Sequence, residues 1–331
     1  MNFKSIEIKE FRGIKQMRSL KLKKFNVIIG RNNSGKTALL EALFLFPVPF
    51  RSLSVPWYSK SRIETIAEFH SGIDALIYGY SGNAEITYEI DTLSEILNIK
   101  FVLNTDGVIR VWNDGKEVTF EDYLNQISSQ LNLSKNALTS FTFYLSPNTN
   151  FIHKLHQYLC ETYVWNTIVK NGANTRLIRK FVNNAVRDNF TEILLGPRKR
   201  LMLRKELSDD SVMYIDIADL GDGIERALLV ALALEYISPK IVLIDDIEQS
   251  AHIGLLKIFI EWLAKKDWQV ILTTHSIDVL SVLTEVDMQD FQLIALNKNQ
   301  EDTVIFRTYS LEELENMLTI GIDLRKMLDL V

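Results

Sequence analysis

The sequence predicts an α/β fold whose mostly parallel sheet is covered by helices and carries a phosphate-binding loop. Three observations predict it. Residues 25–43, FNVIIGRNNSGKTALLEAL, read as an apolar strand, a glycine-bounded loop and a helix in succession. Residues 241–246, IVLIDD, form an apolar run that ends in two carboxylates. From there the chain alternates strand and helix, the rhythm of βα units in a largely parallel sheet.

Taken from the N-terminus, KSIEIKEF alternates like a half-buried strand, FRGI breaks it, and FNVIIG is a buried strand ending in glycine. TALLEALFLF has helical apolar spacing, and PVPFRSLSVPWYSKS, from about residue 47, reads as a surface loop marked by Pro and Ser. AEITYEI, LNIKFVL and GVIRVW are three strands with NTDG and NDGK as hairpin-like turns, so an antiparallel β region is expected over 46–120. Residues 121–200 turn helical, from EDYLNQISSQL through RLIRKFVNNAVRDNF, with no heptad sustained long enough for a coiled coil. GPRKRLMLRK leads into a strand, VMYIDI, and DLGDG precedes the apolar helix IERALLVALALEYI. A strand at 241–245, a helix at about 251–265, the strand WQVILTTH, the helix SIDVLSVL, the strands FQLIAL and TVIFRTY, and helices to the end complete the chain.

Length and composition bound the class. The 331 residues allow two domains or one large two-lobed domain, and an apolar fraction of 47% is ample for a core. A net charge of −5 gives no global basic field, so any nucleic-acid contact must come from a local patch. Cys160 is the only cysteine, which excludes an internal disulfide and a cysteine-based zinc site and suits a reducing compartment. MNFKSIEIKEF lacks a signal-peptide core, and the longest apolar runs fall short of the ~20 residues of a membrane span. The expectation is a soluble cytoplasmic protein.

The chemistry concentrates in four stretches. GRNNSGKT, residues 30–37, fits G-x-x-x-x-G-K-[ST] between a strand and a helix. Gly30 and Gly35 let successive N–H groups of Arg31, Asn32, Asn33 and Ser34 turn inward around phosphate oxygens, and the helix start at Ala38 adds its partial positive charge. Lys36 reaches the phosphates as a point charge, and the Thr37 hydroxyl is a Mg²⁺ ligand. Asp245 ends a strand and supplies the metal carboxylate; Asp246 stands where it can orient or deprotonate an attacking water, with Glu248 a third acid nearby. His275, at the end of ILTTH, either senses a terminal phosphate or caps the next helix alongside Ser276. In DLGDG, Leu220, Gly221, Asp222 and Gly223 present a second helix start to an anion, with Asp222 or Gly223 as the expected cap. One chain does not need two such starts unless two chains share each nucleotide.

FRGIK at 11–15, GRNNSGKTALLEAL at 30–43, DLGDGIERAL at 219–228, LIDDIEQSAH at 243–252 and TTHS at 273–276 together resemble an ABC-type ATPase head of the SMC/RecF/OLD-like class. The nearer likeness is to the AAA15/AAA21-type single-chain ATPases, which SLEELENMLTIGIDLR at 310–325 also resembles. The resemblance is specific over roughly 1–45 and 210–325. It implies a P-loop NTPase head with a mixed core sheet, an antiparallel β subdomain and a helical lobe. Its parts would be 1–45 with the N-terminal strands and phosphate loop, 46–120, 121–200, and 201–331 with the signature, metal carboxylate and histidine loop. It further implies ATP and Mg²⁺ sandwiched between two heads, with Gly30–Thr37, Asp245, Asp246 and His275 from one and Leu220–Gly223 from the other. His252 would end a loop at the dimer interface, and Arg12 would lie near the nucleotide. Gln126 and Gln130 are the candidates for a glutamine loop. The interval from Lys36 to Asp245 is too short for long coiled-coil arms, and the stretch after His275 too short for a TOPRIM nuclease domain.

The leading functional reading is an ATP hydrolase that dimerises on ATP and acts on a DNA-repair or defence-type partner. Asp at position 246, where the resemblance expects Glu, makes hydrolysis slow. The alternative is a nucleotide-dependent switch with negligible turnover that regulates a nuclease or toxin. A small-molecule P-loop kinase leaves DLGDG and TTHS unexplained. For DNA, the candidate patch is Arg198, Lys199, Arg200, Arg204 and Lys205, with Arg198, Arg200 and Arg204 on one face if the stretch is a strand. The competing view is a solvated hairpin or an arm against the other subunit.

Overall fold

The computed structural model describes residues 1–92, 95–186, 188–249 and 251–326. Strand β1 (Asn2–Phe11) turns through Arg12–Gly13 into β2 (Ile14–Lys21), and β3 (Phe25–Gly30) runs into α1 (Lys36–Leu45). The short pair β4 (Ser54–Val55) and β5 (Lys60–Ser61) precedes α2 (Arg62–Phe69). The expected antiparallel stretch is β6 (Asn83–Asp91), β7 (Ile96–Asn104), β8 (Ile109–Asn113) and β9 (Lys116–Val118). Then follow α3 (Phe120–Leu131), α4 (Lys135–Leu138), β10 (Thr142–Leu145), α5 (Thr149–Leu159), α6 (Thr162–Lys170), α7 (Ala173–Leu177) and α8 (Asn183–Val186). A small sheet of β11 (Phe190–Gly196), β12 (Arg200–Glu206) and β13 (Val212–Asp216) leads to α9 (Asp222–Ile237). The chain continues through β14 (Ile241–Ile244), α10 (Ile253–Ala264), β15 (Gln269–Thr273), α11 (Ile277–Thr284), β16 (Phe291–Lys298), β17 (Thr303–Tyr309) and α12 (Leu311–Thr319).

Among the described residues one sheet of 12 strands has the order β10-β14-β15-β3-β16-β17-β2-β1-β6-β7-β8-β9. Its first five strands are parallel; from β1 to β9 it is antiparallel. The antiparallel region is therefore continuous with the parallel one, joined through β17, β2 and β1. The parallel strands are buried on both faces, which explains their unbroken apolar sequences: β3, β14 and β15 have no exposed residue. Helix α1 is apolar nearly all round and lies buried against β3, β10, β14 and β15. Helix α9, equally apolar, is buried from Ala227 to Leu234 and packs against α5, α6 and α7.

One expectation changes. The region read as helical over 121–200 contains β10, which pairs with β14 in parallel register at the edge of the main sheet. Its four residues are all buried, so the stretch carries no alternation to betray a strand. No helix among the described residues is long and apolar enough to cross a membrane.

Candidate active site at the ends of the parallel strands

The order β14-β15-β3 sets the site, because each of these strands delivers one functional group at its carboxyl end. Strand β3 ends in Gly30 and opens the loop that closes at Gly35, the N-cap of α1. Gly35 has φ 97°, which an L side chain tolerates poorly, and among the described residues no side chain caps the helix. The amides of the first turn are thereby left to a ligand. Gly30 is required for space: a Cβ there would sit 2.3 Å from Ser34 Oγ and 2.8 Å from the Leu296 carbonyl oxygen. Ser34 Oγ is itself buried and finds no hydrogen-bond partner among the described residues. Lys36 is 6% exposed, and its ammonium donates to the carbonyls of Gly30 at 2.9 Å and Arg31 at 3.0 Å. Burial pushes its pKa down, while the charges of Asp246, Asp245 and Glu248 oppose that shift.

Strand β14 delivers Asp245, which is 1% exposed and accepts on both oxygens. Thr37 Oγ1 donates to Oδ2 at 2.8 Å and Thr273 Oγ1 to Oδ1 at 2.6 Å. A hydroxyl and a buried carboxylate at contact distance are the hard oxygen donors that suit Mg²⁺. No cluster of three or more His, Cys, Asp or Glu among the described residues is arranged for a metal. The cation's remaining ligands would thus be phosphate oxygens and water.

Asp246 turns the chain away from the strand with φ 51°, in the left-handed region, and its N–H donates to Thr273 Oγ1 at 2.9 Å. Its carboxyl is half-buried, and burial, followed by the charges of Asp245 and Glu248, raises its pKa above the ordinary aspartate value; His275 and Lys36 oppose the rise. A carboxylate with its pKa raised, at the mouth of a polar cleft, is suited to accepting a proton. His275 follows β15, with Nε2 3.8 Å from Asp246 Oδ1. Glu248 does not line the cleft. It lies behind His275 and accepts that residue's backbone N–H at 2.6 Å.

A cleft of about 310 Å³ gathers Arg12, Asn32, Asn33, Ser34, Gly35, Lys36, Thr37, Ala38, Asp246 and His275. Arg12 enters it from the β1–β2 hairpin tip with φ 54°. Glu41 of α1, 1% exposed, holds it at 2.6 Å, and His70 Nε2 lies 3.1 Å from the same carboxylate. No motif in the sequence marks Glu41 or His70. The available signal was a glutamate inside the apolar run TALLEALFLF.

The residues expected to form a signature loop lie elsewhere. Leu220, Gly221, Asp222, Gly223 and His252 line a second, more open groove that shares no residue with the phosphate cleft. The cap of α9 is Gly221, with φ 95° and ψ 148°, in place of Asp222 or Gly223; Asp222 is the first helical residue. His252 caps α10, its Nδ1 accepting from Gly254 N–H at 3.2 Å. Ser250, in the same loop, and residues 327–331 at the C-terminus lie outside the described residues.

Two expectations about outlying residues are corrected. Gln126 and Gln130 lie on α3, do not line the cleft, and Gln130 bonds Glu95 at 3.1 Å. In the basic stretch, Arg198 and Lys199 occupy a left-handed turn before β12, so Arg198 does not share a strand face with Arg200 and Arg204. The cations are also largely matched by acids: Lys199 with Glu161, Arg200 with Asp216, Arg204 with Glu206 and Lys205 with Asp188.

Comparison with known proteins agrees with this geometry. Residues 1–106 match the family described as "AAA ATPase domain", and residues 171–281 match "AAA domain, putative AbiEii toxin, Type IV TA system". An ATP/GTP phosphatase of Helicobacter pylori is 25% identical over 373 residues, covering 94% of this chain and 96% of that protein. An uncharacterized protein of Methanocaldococcus jannaschii is 32% identical over 117 residues, 32% of this chain and 99% of the relative. Among solved structures, an SMC head bound to the C-winged helix domain of ScpA superposes with a TM-score of 0.63 at 15% identity, covering 94% of this chain and 99% of that one. The SMC head domain from Thermotoga maritima gives 0.57 at 15% identity, with 94% and 100% covered. Phosphate loop, paired aspartates and strand order agree with the two ATPase-domain matches, and the chain is an ATP-binding ATPase with the fold of an SMC head.

Proposed function

We propose that the chain hydrolyses ATP slowly, with Mg²⁺, in a head-to-tail dimer that sandwiches two nucleotides and controls a repair- or defence-type protein partner. The observation that carries this reading is the separation of the phosphate cleft from the signature groove. Each is an anion-binding helix start, and neither is complete alone. Two chains related by a twofold axis would bring the groove of one over the cleft of the other.

Within the composite site, Lys36 and the loop amides bind the phosphates, while Thr37 and Asp245 would hold Mg²⁺, which would supply positive charge beside the phosphoryl group. Asp246 accepts a proton from the attacking water, and His275 donates a hydrogen bond toward the terminal phosphate. Arg12, held by Glu41, lends positive charge at the cleft wall. Asp246 is one methylene shorter than Glu, and a 1 Å misplacement can cost about 10²-fold in rate. That shortfall also favours a second reading, a switch with negligible turnover that regulates a nuclease or toxin. The four ion pairs along 199–205 support a structural hairpin over direct DNA contact through Arg198, Lys199, Arg200, Arg204 and Lys205.

Single-turnover hydrolysis by the wild type, Asp246→Asn and Asp246→Glu separates these readings. A slow wild type, a silent Asn variant and an active Glu variant support Asp246 as the base. Equal rates for wild type and Asn remove Asp246 from catalysis, and negligible turnover by all three leaves the switch.

A further inference from the structure

We propose that Glu248 and Arg325 clamp the backbone of His275 from both sides, making the C-terminal segment Gly321–Lys326 a positioning element of the hydrolytic site. This rests on His275 acting in hydrolysis, as proposed above. His275 lies between β15 and α11, outside both elements, and its side chain is 41% exposed. Its nearest ionic neighbour, Asp246 Oδ1, is 3.8 Å away, too far to fix the ring. Orientation must therefore come through the main chain.

Both main-chain groups are engaged by charged side chains. The N–H donates to Glu248 Oε1 at 2.6 Å, and the carbonyl accepts from Arg325 Nη1 at 2.8 Å, across 50 residues of sequence. Charge-assisted bonds of this kind are about twice as strong as neutral ones. The Arg325 guanidinium is aimed in turn. Its Nε donates to Asp323 Oδ1 at 2.9 Å and its Nη2 to Oδ2 at 2.7 Å, a bidentate fork that leaves Nη1 for His275. Leu324, 2% exposed, anchors the segment in the core, and the N–H groups of Gly321 and Ile322 bond the last turn of α12 at 3.0 and 2.8 Å. On the other side, Glu248 Oε2 is buried without a hydrogen-bond partner among the described residues. An acid kept in that state for the sake of one backbone bond marks a functional constraint.

The clamp also explains why the motif at 310–325 belongs to the site although it follows the histidine by dozens of residues. Any force on the C-terminal segment would reach the histidine through the Arg325–His275 hydrogen bond. Lysine cannot replace Arg325, because one ammonium does not span the fork and the carbonyl together.

The test compares wild type, Arg325→Ala, Arg325→Lys, Asp323→Ala, His275→Ala and the Arg325→Ala/His275→Ala double variant. Three measurements are made: ATP affinity, single-turnover rate, and amide hydrogen exchange of the peptide containing His275. Arg325→Ala and Arg325→Lys should raise exchange at that peptide and leave the phosphate loop's exchange and ATP affinity unchanged. They should lower the rate by on the order of tenfold to a hundredfold. The double variant should be no slower than His275→Ala alone, and Asp323→Ala should reproduce Arg325→Ala. Unchanged exchange in the Arg325 variants, or a double variant slower by the product of the single effects, overturns the clamp. Raised exchange with an unchanged rate upholds the clamp and overturns the hydrolytic role of His275.

Discussion

At the scale of single residues, the phosphate loop is limited by space more than by charge. Gly30 faces Ser34 Oγ, which can rotate away, and the Leu296 carbonyl, which is fixed in the β16 ladder. Gly30→Ala is therefore expected to push the loop off β3 at its first residue. ATP affinity should fall by about one to two orders of magnitude, while overpacking costs roughly 1–3 kcal/mol of stability. Isothermal titration with ATP and a urea melt read the two effects separately, and unchanged affinity would refute the argument. Asp246 illustrates the opposite balance, since its left-handed backbone and raised pKa follow from where the chain must turn between β14 and the loop that carries Glu248. Strain at such a position is characteristic of sites that do chemistry.

Among the elements, the helix that follows the phosphate loop depends on a buried arginine. Arg62 of α2 is fully buried and donates to the carbonyls of Phe44 at 2.5 Å, Phe46 at 2.7 Å, Leu138 at 3.3 Å and Thr139 at 2.9 Å. Burial depresses its pKa to about 9, and its guanidinium lies over the Phe44 ring. Arg62→Met keeps the volume but takes a donor from four carbonyls, of which Phe46 and Leu138 retain one in the Thr142 hydroxyl and the Phe141 N–H, so it should cost about 3 kcal/mol in a urea-unfolding comparison; a loss below about 1 kcal/mol would show that other donors replace it. Helix α9 carries a second test in Glu235, bonded by Arg176 at 2.8 Å and by Lys266. Burial raises its pKa, but the two cations outweigh burial and leave it below the ordinary glutamate value. Its stabilising effect is thus present above the unfolded-state pKa of about 4.3 and is lost as pH falls through the lower folded value. Wild type should be more stable than Glu235→Gln at pH 7, and the gap should close below about pH 4; a gap independent of pH would mean packing, not charge, is at stake.

Legibility in the sequence divided along the same line between local and distant causes. The phosphate loop, Asp245, Asp246 and His275 were readable because each is a strand end with a fixed offset to its neighbours. Strand β2 carries no strand signature in the sequence because its buried residues Ile14, Met17 and Leu20 recur every third position. A shift in register between Ile6 and Ile8 on β1 accompanies that spacing and breaks the period-2 signature. Strand β10 lacked any polar face, and the contacts of Arg12 with Glu41, and of His275 with Arg325, join positions that no spacing rule links.

For the whole molecule, the decisive property is that the phosphate cleft and the groove lined by Leu220–Gly223 are separate concavities of one chain. If each nucleotide needs both, ATP must bind the closed dimer more tightly than the monomer, and only that difference can drive closure. Complementation between defective chains tests this directly. Lys36→Ala removes the charge that binds phosphate and leaves the signature groove intact. Gly223→Glu places a carboxylate in the groove, and the first turn of α9 tolerates an acid at its positive end, so the fold should persist. Each variant alone should stay monomeric with Mg-ATP in analytical ultracentrifugation and should not hydrolyse it. An equimolar mixture can build one intact site, with the phosphate loop of the Gly223→Glu chain against the groove of the Lys36→Ala chain. The mixture should therefore form ATP-dependent dimers and recover a fraction of wild-type turnover. The recovered activity should rise with the square of total protein at low concentration, because two chains make each site. Wild-type hydrolysis by the Gly223→Glu chain alone would show that the groove takes no part. A mixture as silent as its components, with both chains folded by circular dichroism, would show that the two concavities never meet across a dimer.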